Sequence, residues 1–273
     1  MIPKLCTLAA AMLAGAILII AQPASAQGTL RVCADPNYMP YSDRAQEGFE
    51  NKIALAVARY LGDKISYTWS TTRGPGGWDE FIHETLNAGK CDLIVNVPYA
   101  SQAVLTTQPY YVSSYVFVFD KTKNYDIQSL DSPDLQRLRI GYETDTPPQE
   151  GLKVRGILSG QVPFDVAGTE GQSPAVILDA VNNGRIQVGI TWEPAVGYYL
   201  KNGYSRLSVV PLPNSRQRGV PEQYIFPMSM GVRHGNEALQ KQLERVVAAH
   251  QPQLLAILDR FGVKLYHPNI NPY

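Results

Sequence analysis

Two glutamates closely follow predicted strands, where a side chain is well placed to act on a ligand. Glu143 comes after the strand-like run 138–141, and Glu193 comes after the run 186–191. A carboxyl group inside a closed cleft can act as a general acid or base when its surroundings raise its pKa. However, the chain has no nucleophile-elbow motif, glycine-rich phosphate loop or paired His and Cys with metal spacing. We therefore predict no catalytic residue, no metal and no cofactor.

Aromatic residues gather on loops next to the predicted strands and helices. The candidates for contact with a ligand or a partner are Tyr38, Tyr41, Trp78, Tyr99, Tyr110, Tyr111 and Trp192. Tyr and Trp are enriched in stacking pockets and in protein interfaces, so both kinds of site fit this set. Core packing is the alternative, and it applies most to Tyr110 and Tyr111, because adjacent strand residues point to opposite faces.

The first 26 residues have the layout of a cleavable signal peptide. Lys4 precedes an unbroken apolar or small-residue run over 8–20, and the small residues 24–26 precede Gln27. The apolar run is too short to span a bilayer comfortably, so a retained anchor is the weaker alternative. We predict cleavage between Ala26 and Gln27 and a periplasmic mature protein.

Export determines how the cysteines are interpreted. The chain has three, and removal of the leader takes Cys6 and leaves Cys33 and Cys91. In an oxidising compartment two thiols in one mature chain are more often paired than free. We predict a Cys33–Cys91 disulfide, and two inert core thiols are the alternative.

Composition narrows the possible partners. The 273 residues carry 24 Lys and Arg against 24 Asp and Glu, so there is no basic field to attract nucleic acid. With 45% hydrophobic residues the chain can bury a full core. After the leader, no apolar run reaches the roughly 18 residues of a membrane helix. We predict a globular protein with no nucleic-acid partner and no membrane span after cleavage.

The predicted elements repeat one β-α-β-α-β order in each half of the chain. In the first half, strands at 30–35, 65–70 and 93–97 alternate with helices at 49–61 and 78–88. In the second half, strands at 138–141, 164–166 and 186–191 surround a helix at 174–183. This order is typical of mostly parallel sheets flanked by helices, an α/β fold.

Two strand-rich segments, 110–119 and 224–232, flank the second half and predict two crossings between lobes. Lobe one would comprise residues 27–113 and 232–273, and lobe two residues 114–231. A long helical region at 236–259, interrupted at Pro252, would return to lobe one. Two open sheets that face each other form a cleft at the carboxyl ends of their strands, and a two-strand hinge can close it around a ligand.

Several motifs, in this order along the chain, resemble type II periplasmic solute-binding proteins of the amino-acid-binding kind. They are the runs 30–35, 48–50, 89–92, 109–111, 193–195, 226–228 and 232–236. The runs 31–40 and 48–54 further resemble the MoxJ/XoxJ-type proteins, which are associated with quinoprotein alcohol dehydrogenases. The resemblance implies a two-lobed fold and a non-catalytic accessory role to a periplasmic PQQ-dependent methanol dehydrogenase, its partner. Alternatives are an ABC-transporter receptor for a small neutral or aromatic ligand and, less favoured, a dehydratase-type enzyme.

The sequence departs from the amino-acid binders at both charged anchors. Those proteins hold the α-carboxylate with an Arg after the third strand, but residues 98–107 contain no basic residue. They also place an Asp where Trp192 stands here. Losing each charge-assisted bond would cost about 1.5–3 kcal/mol, so free amino acids are poor candidates. Glu143 and Thr144 occupy the loop in which the family presents donors to the ligand, and prolines 147 and 148 predict a stiff turn after them.

Overall fold

The computed structural model describes residues 27–166, 169 and 172–266. The predicted leader and its cleavage at Ala26, together with the tail from residue 267, lie outside the described residues. Within the described part of the chain, no helix is both long and apolar enough to cross a membrane.

Twelve strands and six α-helices are described along these residues. The strands are β1 (Thr29–Ala34), β2 (Asn37–Tyr38), β3 (Ser42–Asp43), β4 (Lys64–Trp69), β5 (Ile94–Pro98), β6 (Leu105–Thr106), β7 (Tyr111–Asp120), β8 (Ile140–Glu143), β9 (Val162–Phe164), β10 (Val188–Trp192), β11 (Leu207–Pro211) and β12 (Ile225–Val232). The helices are α1 (Phe49–Leu61), α2 (Gly77–Ile82), α3 (Pro147–Val154), α4 (Ala175–Asn182), α5 (Glu193–Lys201) and α6 (Glu237–Arg260). A π-helical turn, His83–Asn87, continues α2, and single 3-10 turns occur at Lys121–Lys123 and Pro133–Gln136.

Helix α1 has the bounds that the sequence predicts. Phe49, Ile53 and Val57 recur at helical spacing and are fully buried, so one face of α1 packs into the core. Gly62 ends the helix with a φ of 77°, a left-handed conformation that costs glycine little.

Proline determines two other helix features. The turn expected at residues 145–148 continues as α3, because Pro147 occupies the first helical position, where no N–H is needed. In α6, Pro252 lies inside the helix and the backbone at His250 leaves helical geometry, which confirms the predicted interruption.

The central sheet is mixed. Its strand order is β5-β12-β7-β10-β8-β9, with β11 beside β7 and β6 beside β12. The predicted parallel pairing holds for β1 with β4 and for β8 with its neighbours β9 and β10. The crossing strands β7 and β12 pair antiparallel with each other and with their other neighbours, which makes the sheet mixed.

Strand β7 runs from one half of the molecule into the other. Its first residues pair with β12, from Tyr111 to Ser114, and the following residues pair with β10, from Tyr115 to Phe119. The buried side chains divide accordingly. One cluster combines the first half of the chain with β12 and α6, a second consists of first-half residues around the disulfide, and two others gather residues between 116 and 224. We propose that these clusters are the cores of the two lobes, with the boundaries given above.

The predicted disulfide is confirmed. Cys33 in β1 is bonded to Cys91, which precedes β5, and their Cα atoms are 5.5 Å apart. Beside it, Arg31 and Asp92 form an ion pair with an N–O distance of 2.5 Å. Both contacts join the first strand to the segment that enters β5.

Candidate functional site

Two cavities share part of their walls: one of about 420 Å³ is lined by both halves of the molecule, and one of about 230 Å³ is lined by the first half and Trp192. They share one group of aromatic side chains, which we call the aromatic wall: Tyr38, Tyr41, Trp78 and Trp192. Tyr38 and Tyr41 stack with their ring centroids 4.7 Å apart. Trp192 meets Tyr115 and Phe226, which also line the larger cavity, at centroid distances of 5.0 and 5.9 Å. The wall presents ring faces and edges to any molecule in the cleft.

Strand ends position the cleft residues. Asp35 and Tyr38 follow β1, while Arg73 follows β4, on the side of the first half. On the other side, Glu143 ends β8 and Trp192 ends β10. Ligands of open α/β sheets bind at these carboxyl ends, because the loops there converge.

Arg73 is the only cation among the described residues that line the two cavities. Its side chain is 2% exposed, and Nε lies 3.7 Å from the equally buried carboxylate of Asp35. Its Nη2 donates to the Asn37 carbonyl oxygen at 2.6 Å, and its Nη1 donates to the Gln172 carbonyl oxygen at 3.0 Å. The charge of Arg73 is therefore already matched by protein groups.

Asp35 ties this part of the cleft together. Its Oδ2 accepts from the backbone N–H of Thr72 at 2.8 Å and from two threonine hydroxyls, those of Thr71 and Thr72. Its Oδ1 accepts from the Asn37 N–H at 2.8 Å. These bonds fix the loop that carries Arg73.

A further bond joins the opposite sides of the cleft, and a second anchors its donor within the second half. Tyr199 in α5 donates its hydroxyl to the Met39 carbonyl oxygen at 3.2 Å, and it lies 2.9 Å from the Ser173 hydroxyl. With the bond between Arg73 and Gln172, they connect the loop after β1 to the segment before α4. This arrangement corresponds to a cleft whose sides are in contact.

Glu50 faces the smaller cavity from α1. Burial raises the pKa of its carboxyl to about 8; a hydrogen bond with Asn96 works against this shift, and the nearby charge of Asp35 adds to it. The Asn96 side chain also accepts a hydrogen bond from the Tyr111 hydroxyl at 2.8 Å. At neutral pH the ligand-free cleft therefore holds Glu50 mainly as the neutral acid.

Glu143 faces the larger cavity from the other side. Its Oε1 accepts from the Thr191 hydroxyl and, at 3.3 Å, from the Trp192 N–H. Burial raises the pKa of Glu143 above its ordinary value, and these two hydrogen bonds oppose the shift. The cleft thus has a buried glutamate with a raised pKa on each side.

The remaining predicted site residues lie outside the walls of these two cavities. Tyr99 is 42% exposed. Thr144 follows the end of β8, and its hydroxyl donates a hydrogen bond to the Asp165 carboxylate at 3.3 Å. Tyr110 lies in the core, and its hydroxyl donates a hydrogen bond to the Val95 carbonyl oxygen. The Tyr111 hydroxyl donates to the side chain of Asn96. Both adjacent tyrosines are buried, because β7 is covered on both faces at this point.

Glu193 also points away from both cavities. It is fully buried at the start of α5, and its Oε1 accepts from the Lys264 N–H at 2.9 Å. Its Oε2 has no hydrogen-bond partner among the described residues. Burial raises the pKa of Glu193 to about 8, which the Lys264 N–H partly offsets. In the structure this glutamate attaches the C-terminal segment to α5.

Sequence reasoning missed Arg73, Asp35, Glu50 and Asn96. Arg73 follows the second strand of the first half, not the third, so a search of residues 98–107 could not find it. Glu50 belongs to a helix, and only the turn of α1 toward the cleft brings it to the cavity. The sequence did contain one signal for Asp35 and Arg73. Each lies at or just after the end of a predicted strand, and loops at that end of a sheet are expected to face the cleft.

A cleft at the carboxyl ends of two sets of strands, connected by long crossing strands, defines the type II periplasmic binding protein fold. The profile of the bacterial extracellular solute-binding proteins, family 3, matches residues 30–262. The chain belongs to this family.

Its relatives include proteins of one narrower group. Protein MoxJ of Methylorubrum extorquens is 30% identical over 252 residues, which cover 86% of this chain and 81% of the relative. The crystal structure of the periplasmic binding protein XoxJ from Methylobacterium extorquens has a TM-score of 0.70 and 31% identity, covering 87% of this chain and 99% of that one. MxaJ from Methlophaga aminisulfidivorans has the same fold, with a TM-score of 0.77 and 24% identity over 87% of this chain and 100% of that one. The resemblance to this group is confirmed.

Proposed function

We propose that the protein is a periplasmic, non-catalytic accessory protein of a PQQ-dependent methanol dehydrogenase and aids its maturation or activity. The observation that carries the proposal is the state of Arg73. An amino-acid receptor needs a free cation for the α-carboxylate, whereas Arg73 is matched by Asp35 and by two carbonyl oxygens. The chain therefore has the family's fold, but the charge of the one cation among the described residues that line its cavities is matched within the protein. It is also similar to MoxJ and XoxJ.

Association with the dehydrogenase is tested by a tagged pull-down from the native periplasm with mild cross-linking, analysed by mass spectrometry. The matched control bait is an amino-acid-binding member of the same family that retains the Arg and Asp anchors. We expect a quinoprotein dehydrogenase subunit to be enriched over that control. Equal recovery by the two baits would contradict the proposal.

A gene deletion tests the role itself. We expect lower periplasmic methanol dehydrogenase activity in the deletion strain, restored by the full-length gene. Unchanged activity in the deletion strain, measured under conditions in which the dehydrogenase is expressed, would contradict an accessory role.

The second candidate is an ABC-transporter receptor for a small molecule. The larger cavity favours it, because its walls come from both sides of the cleft. Recovery of a permease in the pull-down, with a small bound mass in native mass spectra, would support this candidate.

A dehydratase-type enzyme would need an acid in the cleft. Glu193 is buried against Lys264, and the acids that line the cavities are Asp35, Glu50, Glu143 and Asp145, of which Asp35 is paired with Arg73. Turnover of a cyclic acid by the purified protein, abolished by Glu50→Gln, would contradict a non-catalytic role.

A further inference from the structure

The cleft combines aromatic faces with carboxyl groups that have no cationic partner. The four rings of the aromatic wall line both cavities. Within the described ranges, neither Glu50 nor Glu143 takes part in an ion pair. Aromatic faces attract a desolvated cation through their quadrupole, and nearby carboxylates strengthen the attraction.

The charges converge on one part of the cleft. The hydroxyls of Tyr38 and Tyr41 lie within electrostatic range of both Glu50 and Glu143. Arg73 forms a cation–π contact with Tyr38, with its guanidinium carbon 4.3 Å from the ring centroid. The wall therefore holds one cation of the protein itself. Tyr41 stacks on Tyr38, and among the described residues Trp78 and Trp192 are the rings of the wall that form no ring contact with Arg73 or Tyr38.

We propose that the cleft binds a small organic cation, an alkylammonium or quaternary ammonium ion without a carboxylate, between the aromatic wall and the carboxyl groups of Glu50 and Glu143. A carboxylate on the ligand would meet Asp35, Glu50, Glu143 and Asp145 with no free cation among the described lining residues. A neutral molecule could only form hydrogen bonds with the two glutamates, whereas a cation also gains from a negative charge on them. The smaller cavity, of about 230 Å³ and lined by Glu50, accommodates an ion the size of choline, and Glu143 lines the larger cavity that shares the aromatic wall. This inference goes beyond the dehydrogenase role and does not depend on it.

The binding should depend on pH through Glu50. The titratable groups that face it from the surrounding elements are Asp35, Tyr38, Tyr41, Tyr67, Tyr110 and Tyr111, and Arg73 lines the same cavity. The raised pKa of Glu50, about 8, means that a cation entering at neutral pH displaces a proton. Affinity for a permanently charged ion therefore rises with pH up to about 8, by at most about tenfold per pH unit for one released proton.

The test is isothermal titration of the purified mature protein with choline and with 3,3-dimethyl-1-butanol, its neutral isostere. We expect choline to bind, to release protons in buffers of different ionisation enthalpy, and to bind more tightly at about pH 8 than at about pH 6. The neutral isostere should bind at least about tenfold more weakly. Equal affinity for the two probes, an affinity that does not change with pH, or no binding of choline would each overturn the inference.

Variants separate the two components of the site. Glu50→Gln keeps the shape of the side chain and removes the charge, and we expect at least about tenfold weaker choline binding. Trp192→Leu keeps the site apolar and removes a ring face, with an expected loss of several-fold. Glu237→Gln, an exposed glutamate at the start of α6, is the matched control and should bind like the wild type. Thermal melting verifies folding of each variant, and wild-type affinity in both folded cleft variants would overturn the inference.

The outcomes also distinguish this inference from the proposed function. No choline binding together with recovery of the dehydrogenase in the pull-down would reject the cation site alone. Choline binding without recovery of the dehydrogenase would retain the cation site and reject the accessory role.

Discussion

The guanidinium carbon of Arg73 lies 4.3 Å from the centroid of the Tyr38 ring. Arg73 also forms an ion pair with Asp35, whose carboxylate lies 3.7 Å from Nε. Its Nη1 donates a hydrogen bond to the Gln172 carbonyl oxygen across the cleft. One residue therefore stabilises the loop after β1, the loop after β4 and the contact between the two sides of the cleft. These contacts match its charge and occupy both Nη atoms, while Nε has no hydrogen-bond partner among the described residues.

Replacing Arg73 by methionine should strongly destabilise the protein. The change leaves Asp35 buried, at 2% exposure, without its counter-charge. Breaking a buried pair in this way typically costs roughly 3–5 kcal/mol. Urea unfolding followed by circular dichroism measures the free energy of unfolding.

Arg44→Met is the matched control for that variant. Arg44 is exposed and contacts only the ring of Trp69 among the described ring contacts, 5.8 Å from its centroid. We expect a change within about 0.5 kcal/mol. A loss of similar size in both variants would show that the buried pair is not the cause.

Removing the disulfide should lower stability by about 4 kcal/mol, because the bond closes a loop with a sequence separation of 58 residues. The double variant Cys33→Ala, Cys91→Ala should therefore unfold at much lower urea concentration than the wild type. Treatment of the wild type with reductant should have the same effect.

The bond itself is checked by intact mass. The mature protein from its native source, unfolded and alkylated without reductant, should gain no alkyl group at Cys33 or Cys91. Two added groups would contradict the assignment.

Glu193 should make stability depend on pH. Its pKa is raised to about 8 in the folded protein, against an ordinary value of 4.5. Between these values the unfolded chain has released the proton that the folded protein retains. The contribution of Glu193 to the free energy of unfolding is therefore largest below about pH 4.5. It decreases by on the order of a few kcal/mol as the pH rises to about 8.

The Glu193→Gln variant isolates this contribution. Glutamine retains the acceptor for the Lys264 N–H and carries no charge at any pH. As the pH rises from about 4.5 to about 8, we expect the wild type to lose stability relative to the variant, measured as the difference between their free energies of unfolding. A constant difference from about pH 5 to about pH 8 would show that Glu193 is ionised in the folded protein.

Gly197 is required for the contact between α5 and the turn after α6. A Cβ atom at this position would overlap the carbonyl oxygen of Gly262, which is backbone and cannot rotate away. We expect Gly197→Ala to cost about 1–3 kcal/mol by overpacking, measured by urea unfolding. In the control Gly28→Ala, the added methyl meets only the flexible side chain of Asp63, so a much smaller loss is expected.

The sequence allowed several local features to be predicted correctly. The bounds of α1 follow from three apolar residues at helical spacing and a terminating glycine, which act within one segment. The interruption of α6 follows from Pro252, whose ring cannot continue the hydrogen-bond ladder. The Cys33–Cys91 pair follows from the predicted removal of the leader, which would leave these two thiols with no competing partner.

The same reasoning was insufficient where side-chain direction matters. Tyr110 and Tyr111 are adjacent, yet both are buried, since β7 has packed elements on both faces. Glu193 follows a strand end, as Glu143 does, but the start of α5 turns it toward Lys264. Whether a loop residue faces the cleft depends on the rotation of its element, and spacing alone does not specify it.

The sequence by itself determined the α/β class and much of the element order, because these depend on residue types and periodicity. Its motifs indicated the family and the absence of an Arg at the family's clamp position, through their resemblance to known members. Only the tertiary structure decided which groups face the cleft. It placed Arg73 against Asp35 and the carbonyl oxygen of Gln172, and it brought Glu50 and Glu143 to opposite sides of one aromatic wall. The physical reason is that burial and counter-charge are properties of the packed chain, and segments distant in sequence supply them.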